Sequence, residues 1–294
     1  MNCPTSAPTS AVVTRFAPSP TGGLHLGHAW AALIAHDLAR AAGGRFLLRI
    51  EDIDPGRARE AHIAGIKADL RWLGLGWDGP VLRQSARLPY YAEALARLRA
   101  LGLLYPCFCT RAGIAASAAA PHGPTEHLYP GTCRALTLAE RTARLATTPH
   151  AWRLDTARAI AIAGPLTWHD AREGDVTACP ERLGDVVLAR KDAPVSYHLA
   201  VTVDDAAQGV TDVTRGRDLF ESTHVHRLLQ ALLSLPTPRY HHHALLSGPD
   251  GRRLAKRDGA PTLAALRAAG ADPAALVARI RAGDLSVGIA AAPF

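Results

Sequence analysis

The chain alternates between short runs that are apolar almost throughout and longer stretches whose apolar residues recur at helical spacing. Val12 to Phe16 predicts a short strand, the Pro/Gly-rich stretch after it a turn, and Gly27 to Ala41, with Ala, Leu and Ile on one face, a helix. Arg45 to Ile50 (RFLLRI) predicts a second buried strand. Ala58 to Leu73 and Leu88 to Leu101 predict two more helices, the latter with Leu95, Leu98 and Leu101 in step. Such alternation implies an α/β fold with a parallel sheet and crossover helices.

From Tyr105 to about Arg134 the pattern breaks into Cys, Pro, Gly and a small-residue run, AGIAASAAAP, as an inserted module would. Residues 135–190 mix helix and short strands. Strand-like runs return with DVVLAR and HLAVTVDD, and a helix is expected from Thr223 to Leu235, ended by Pro236 and Pro238. Tyr240 to Leu246 predicts another strand, and the chain from Thr262 onward short helices. No internal repeat appears.

Composition changes this picture in several ways. The 294 residues, 48% of them hydrophobic, suffice for a substantial core and suit about two domains of roughly 150 residues. The opening MNCPTSAPTSA has no basic segment, and no apolar stretch approaches the roughly 18 residues of a membrane span, so a cytoplasmic chain with a loose N-terminal tail over residues 1–11 is expected. Five cysteines, Cys3, Cys107, Cys109, Cys133 and Cys179, are an odd number in a long chain and argue against a secreted disulfide framework. Lys+Arg 33 against Asp+Glu 26 gives a net charge of +7, which suits a polyanionic partner. Only Lys67, Lys191 and Lys256 are lysines, so a lysine here stands out against arginine.

Two segments carry chemistry. RFAPSPTGGLHLGHAW (Arg15 to Trp30) lies between the first strand and the first helix, where an open α/β sheet receives phosphate on unpaired backbone N–H groups. His25 and His28 stand three residues apart at that helix start, so both imidazoles are expected to reach one phosphate chain. The second segment, RRLAKRDGAP (Arg252 to Pro261), puts Lys256 among arginines; its compact ammonium can follow a phosphate as charge develops.

Together they resemble the two signatures of class I aminoacyl-tRNA synthetases, HLGH (His25 to His28) for HIGH and RLAKR (Arg253 to Arg257) for KMSKS. The resemblance implies catalytic His25, His28 and Lys256. It also implies an ATP site of His25, Gly27, His28, Arg253, Leu254, Ala255, Lys256 and Arg257, with Mg²⁺ on the leaving group. Ala255 departs from the family, which usually has serine there. RFAPSPTG and RIEDIDP resemble the glutamate branch of these enzymes, over about Val12 to Pro261.

Glutamate carries two carboxylates and one ammonium, so its pocket needs arginine for carboxylate capture and an acid for the amine. The positions matching the branch are Arg15, Phe16, Ala17, Pro18, Ser19, Glu51, Tyr197 and Arg215. Glu51 is assigned to the ammonium, Arg15 and Arg215 to the carboxylates; an ion pair with Arg49 is the structural alternative for Glu51. With Phe294 as its last residue, the chain is expected to lack the helical anticodon-binding part of the long enzymes. It also has EDIDP, where those have EDTD, and Val201 where they tend to place Asn.

In these features it resembles the short group of the branch. That resemblance implies activation of L-glutamate as glutamyl-adenylate without tRNA, then transfer to the queuosine at the wobble position of the tRNA(Asp) anticodon. Nothing in the chain demands a partner copy, so a monomer is expected. A shortened enzyme that charges tRNA(Glu), or a catalytically dead zinc-stabilised RNA-binding paralogue, are the alternatives. The implied organisation is a Rossmann-like nucleotide-binding core over residues 12–104 and 191–240. A zinc-containing, acceptor-binding-like insert covers 105–190, and 241–294 holds the KMSKS-like loop and a helical stem-contact-like segment.

Cys107 and Cys109 form CFC, and LYPGTC places Tyr129 and Cys133 about twenty residues later; three thiolates and one O or N donor can close a structural zinc site. The short group's Cys-x-Cys…Tyr-x-x-x-Cys pattern implies Cys107, Cys109, Tyr129 and Cys133 as ligands to one Zn²⁺. His127 and His122 are rivals for the fourth place. The run His241 to His243 cannot converge on one ion, because neighbours on a strand face opposite ways, and one or two of the three are expected to pack near the nucleotide.

Overall fold

The computed structural model describes residues 11–110, 128–245 and 261–282. They form two compact units, one of Met1–Arg83, Val210–Asp218 and Tyr240–Phe294, the other of Gln84–Gly209 and Leu219–Arg239.

In the first unit, β1 (Val13–Phe16), β2 (Arg45–Ile50) and β3 (Leu82–Arg83) form a parallel sheet in that order. The crossover from β1 to β2 is α1 (Leu26–Ala41), and α2 (Glu60–Trp72) follows β2. Leu26, Ala29, Ala32, Leu33, Ala35 and Ala39 make the buried stripe of α1, and Thr14 Oγ1 donates to Ala35 O at 2.7 Å, which binds strand to helix. β2 can run close beside β1 because Gly44 has no side chain: a Cβ there would stand 2.0 Å from Val12 O.

The strand β9 (Asp212–Gly216) lies beside β1, with Thr211 N–H donating to Val13 O at 3.0 Å, and β10 (Arg239–His243) pairs with β9. The short helices α8 (Leu263–Ala268) and α9 (Pro273–Arg281) insert Leu263, Leu276, Val277 and Ile280 into the same apolar core as Phe46, Leu48, Ile66 and Leu70. Trp72 and Trp77 pack against that core half-buried.

The second unit is built differently. Its sheet is antiparallel, β4 (Leu104–Cys107), β5 (Ala151–Leu154) and β8 (Val187–Ala189), and β6 (Thr167–Asp170) and β7 (Gly174–Thr177) form an antiparallel pair. Around them lie α3 (Leu88–Ala100), α4 (Leu138–Leu145), α5 (Thr156–Ala163), α6 (Tyr197–Ala207) and α7 (Phe220–Leu232).

Most elements predicted from the pattern of positions occur within a few residues of their expected limits. One does not. HLAVTVDD is the body of helix α6, not a strand. Its Val and Thr favour strands, but the segment buries Leu199, Ala200, Val201, Thr202, Asp204 and Asp205 at helical spacing, and a carboxylate fixes it in place. Asp204 accepts from Gln84 Nε2 at 2.8 Å, Arg87 Nε at 2.6 Å and Tyr91 Oη at 2.7 Å, three donors from the start of α3 and the turn before it. Tertiary bonds of this kind override local propensity. The expected tail over residues 1–11 falls almost wholly outside the described residues.

Candidate active site and metal centre

The histidine pair is brought together. His25 is the N-cap of α1, with extended backbone (φ −126°, ψ 178°), and its Nδ1 accepts from Gly27 N–H at 3.1 Å. His28 Nδ1 accepts from His25 N–H at 3.2 Å, so two imidazoles do what serine and glutamate do in an ordinary capping box. The ring centroids lie 3.9 Å apart at 38°. Because each Nδ1 takes a backbone proton, the neutral tautomer of both rings carries its own proton on Nε2. Gly27 makes the arrangement possible, since a Cβ there would come within 2.9 Å of His25 Cε1.

The basic and acidic positions of the expected glutamate pocket in this unit lie on neighbouring strands. Arg15 on β1 and Arg215 on β9 are both buried, and Arg15 Nη1 donates to the carbonyl of Thr214, the residue before Arg215, at 3.1 Å. Arg215 Nε donates to His242 Nε2 at 3.1 Å, and its guanidinium carbon sits 5.1 Å from the Tyr240 ring centroid. Glu51 follows the end of β2, its N–H donating to Pro18 O at 3.1 Å. The alternative partner is present too: Arg49 Nε stands 3.9 Å from Glu51 Oε1, long for an ion pair. Phe16 and Pro18 are buried, Ala17 is half-buried and Ser19 is exposed.

Tyr197 belongs to the second unit, where it opens α6 with 36% exposure and packs edge-on to His226, centroids 5.6 Å apart. His226 in turn bonds His198, Nε2 to Nδ1, at 3.1 Å. The second signature, Arg253, Leu254, Ala255, Lys256 and Arg257, lies outside the described residues. Its two flanks are described, and both meet the start of α1. Trp30 Nε1 donates to Ala244 O at 3.2 Å, and Thr262 forms a β-bridge with His25 while Leu263 N–H donates to Leu24 O at 2.8 Å.

The histidine run is divided as strand alternation requires. His241 Nε2 bonds the buried Asp212 at 2.8 Å, His242 takes Arg215, and His243 Nδ1 bonds Ala244 O at 2.9 Å with its ring edge-on to Trp30. The partner of His242 was not foreseeable from the run itself. Tyr240 and His242 stand at i and i+2, on one strand face, but the register that sets them against Arg215 is long-range.

In the second unit, the sulfurs of Cys107, Cys109 and Cys133 lie within 4.8 Å of one another, and Cys109 Sγ is 3.5 Å from Cys133 Sγ. Tyr129 Oη is 3.8 Å from Cys109 Sγ and accepts from Cys133 N–H at 2.7 Å. Burial pushes the Cys109 thiol up to about 11; it pushes Cys133 up as well, but hydrogen bonds from Tyr129 and from Phe108 N–H outweigh it and hold Cys133 below its ordinary value. A tetrahedral ion with bonds of about 2.3 Å to sulfur sets its sulfurs about 3.8 Å apart, so three thiolates at these distances fit a divalent metal. His122 and His127 lie outside the described residues.

The family model for tRNA synthetases class I (E and Q), catalytic domain, matches residues 11–288. The chain is 54% identical over 273 residues to the glutamyl-Q tRNA(Asp) synthetase of Rhodobacter capsulatus, covering 90% of this chain and 97% of that protein. It is 48% identical over 282 residues to the protein of that name from Symbiobacterium thermophilum, covering 90% and 84%. Among solved structures, a glutamate tRNA ligase from Elizabethkingia meningosepticum, in complex with its amino acid, superposes with a TM-score of 0.72 at 30% identity. That match covers 85% of this chain but 53% of the ligase, so the chain spans about half of that protein's length. With its matched catalytic domain and its parallel α/β core, the chain belongs to the class I aminoacyl-tRNA synthetases of the glutamyl and glutaminyl family, and is a ligase of that type.

Proposed function

We propose that the chain activates L-glutamate with ATP, without tRNA, and transfers it to the queuosine at the wobble position of the tRNA(Asp) anticodon. The observation that supports this reading best is that His25 and His28 pair at the start of the helix that follows β1, while the buried Arg15 of that strand bonds the carbonyl next to the buried Arg215. The names of relatives that this chain nearly spans point to the same acceptor.

In the first step an oxygen of glutamate's α-carboxylate attacks the α-phosphorus of ATP. The bond to the bridging oxygen of the leaving group breaks, and pyrophosphate departs. Arg15 and Arg215 hold the substrate carboxylates, Glu51 receives the ammonium beside Ser19, and Nε2–H of His25 and His28 donates to phosphate oxygens. Lys256 meets the charge that grows on the leaving group. Thr262 is anchored on His25 and stands six residues from Lys256, so the chain between them reaches at most about 20 Å. In the second step a hydroxyl of the queuosine ring attacks the acyl carbon, an ester forms and AMP leaves. Catalysis on this scheme is positioning and charge stabilisation.

Zn²⁺ is assigned to Cys107, Cys109, Cys133 and Tyr129, where it would tie β4 to the Tyr129–Cys133 loop. Glutamate-dependent exchange of pyrophosphate into ATP, followed by transfer of labelled glutamate to unfractionated tRNA with and without queuosine, tests the reading. Label retained only on queuosine-bearing tRNA supports it. Label on queuosine-free tRNA would identify an enzyme that charges tRNA(Glu), and no exchange would identify a dead scaffold. Lys256→Ala is expected to slow exchange by roughly 100-fold, and an unchanged rate removes Lys256 from the mechanism.

A further inference from the structure

The histidine run left one buried contact that the proposed chemistry does not use. His242 is 3% exposed and Arg215 is 6% exposed. Arg215 Nε–H donates to His242 Nε2 across 3.1 Å, and the direction of that bond is fixed, because a guanidinium always carries its protons. His242 must therefore present a lone pair at Nε2 and hold its proton on Nδ1. A charged imidazolium would set N–H against N–H and cation against cation. The Tyr240 ring lies parallel to His242 at 7°, centroids 5.9 Å apart, and also supports the Arg215 guanidinium at 5.1 Å. Tyr240 and His242 thus grip the guanidinium from β10 while Arg215 is carried by β9.

An arginine can hold a carboxylate side-on, through Nε and one terminal nitrogen, or end-on, through both terminal nitrogens. The bond to His242 uses Nε, so only the end-on mode remains. We propose that His242 is a positioning residue for the amino acid: by accepting from Arg215 Nε it fixes the guanidinium so that its terminal pair meets a substrate carboxylate end-on. The proposal rests on the reading that Arg215 binds glutamate. It makes the second histidine of the run a determinant of glutamate affinity, not of ATP affinity, since the arginine it bonds is the one assigned to the amino acid.

Two polar replacements separate the acceptor from mere space-filling. In His242→Gln, the side-chain oxygen reaches the place of Nε2; in His242→Asn the shorter amide stops near Nδ1, out of reach of Arg215 Nε. Pyrophosphate exchange on the full chain gives KM for glutamate and for ATP separately, with His242→Leu and Arg215→Ala as companions. Loss of a hydrogen bond to a charged group predicts that Asn and Leu raise the glutamate KM roughly 10- to 100-fold, with the ATP KM within about twofold and Gln close to the parent. Where the Leu variant fails to fold, the Asn and Gln pair decides alone. If Arg215→Ala raises the glutamate KM but His242→Asn does not, the positioning role is overturned while the glutamate site stands. Equal losses in Asn and Gln, or a parallel rise in the ATP KM, overturn it as well, because they mark a structural residue. An Arg215→Ala variant with unchanged glutamate KM overturns both the site and the proposal.

Discussion

At the start of α1 two imidazoles 3.9 Å apart are held by donors that the backbone already supplies, whereas in the second unit three ionisable sulfurs lie within 4.8 Å of one another. The first arrangement is complete as an uncharged protein structure. His25 and His28 each satisfy, through Nδ1, an N–H group at the helix terminus. The second sets ionisable groups side by side where burial drives Cys109 up to about 11. Three thiolates this close repel one another, and a cation that takes their protons' place removes that repulsion. One region is preorganised by the fold, and the other could be completed by an ion.

The largest expected effect breaks the second region. With the metal bound, Cys133→Ala or a strong chelator should cost several kcal/mol of stability; 3 kcal/mol would lower Tm by about 6–12 °C in a domain of 150–250 residues. Thermal unfolding of parent and variant, each with and without chelator, reads it. The parent should lose stability to the chelator and the variant should be indifferent. A parent that ignores the chelator, in a preparation free of bound metal, would remove the ion from this region and leave the contrast without its second half.

The next effect sharpens the first region. Gly27 lies inside α1, so Gly27→Ala improves helix propensity by about 1 kcal/mol, yet the new Cβ meets His25 Cε1 at 2.9 Å. The ring has to turn, and its Nδ1 bond with it. Exchange activity is expected to fall roughly 10- to 100-fold while the unfolding midpoint stays level or rises, since a displacement near 1 Å in a positioning group has that effect on rate. Exchange kinetics alongside denaturant melts separate the two terms. Full activity would mean that the imidazole pair is not held in its working position.

Both regions were legible in the sequence to different depths. The strand, turn and helix from Val13 to Ala41 could be read because the apolar period changes from strand to helix across an unmistakable Pro/Gly turn, and CFC with LYPGTC was visible as spacing. The helix at Tyr197–Ala207 was read as strand because Val201, Thr202 and Val203 carry strand propensity, while what decides the matter, the burial of Asp204 among Gln84, Arg87 and Tyr91, comes from residues more than a hundred positions away. β9 is not visible in the pattern for a related reason: a short run carrying Asp212 and Arg215 does not look like a buried strand until His241 and His242 are placed against it. Arg15, Glu51 and Arg215 came from family resemblance. Nothing local to any of them encodes their neighbours, which depend on strand order.

The smallest effect tests whether the fold holds the α1 terminus independently of the helix's outer surface. Arg281 on α9 grips Asp37 on α1 through Nε and Nη2, at 2.8 and 2.7 Å. Burial pushes the Asp37 carboxyl up, but hydrogen bonds and charge from Arg281, with His36, outweigh it and hold the group below its ordinary 3.8. A depressed carboxyl adds stability that is fully present above the unfolded value and is lost as pH falls through the folded one, so the contribution belongs to neutral pH and fades below about 3.8. The side chains are 50% and 41% exposed, and solvent screening limits the pair to about 0.5 kcal/mol. Asp37→Asn should therefore destabilise by that amount at pH 7 in low salt, and the gap to the parent should close in acid and in high salt, with pyrophosphate exchange unchanged at every salt concentration. A loss of exchange in this variant would show that the imidazole pair depends on the far end of its helix, and that the first region is less self-sufficient than its backbone bonds imply.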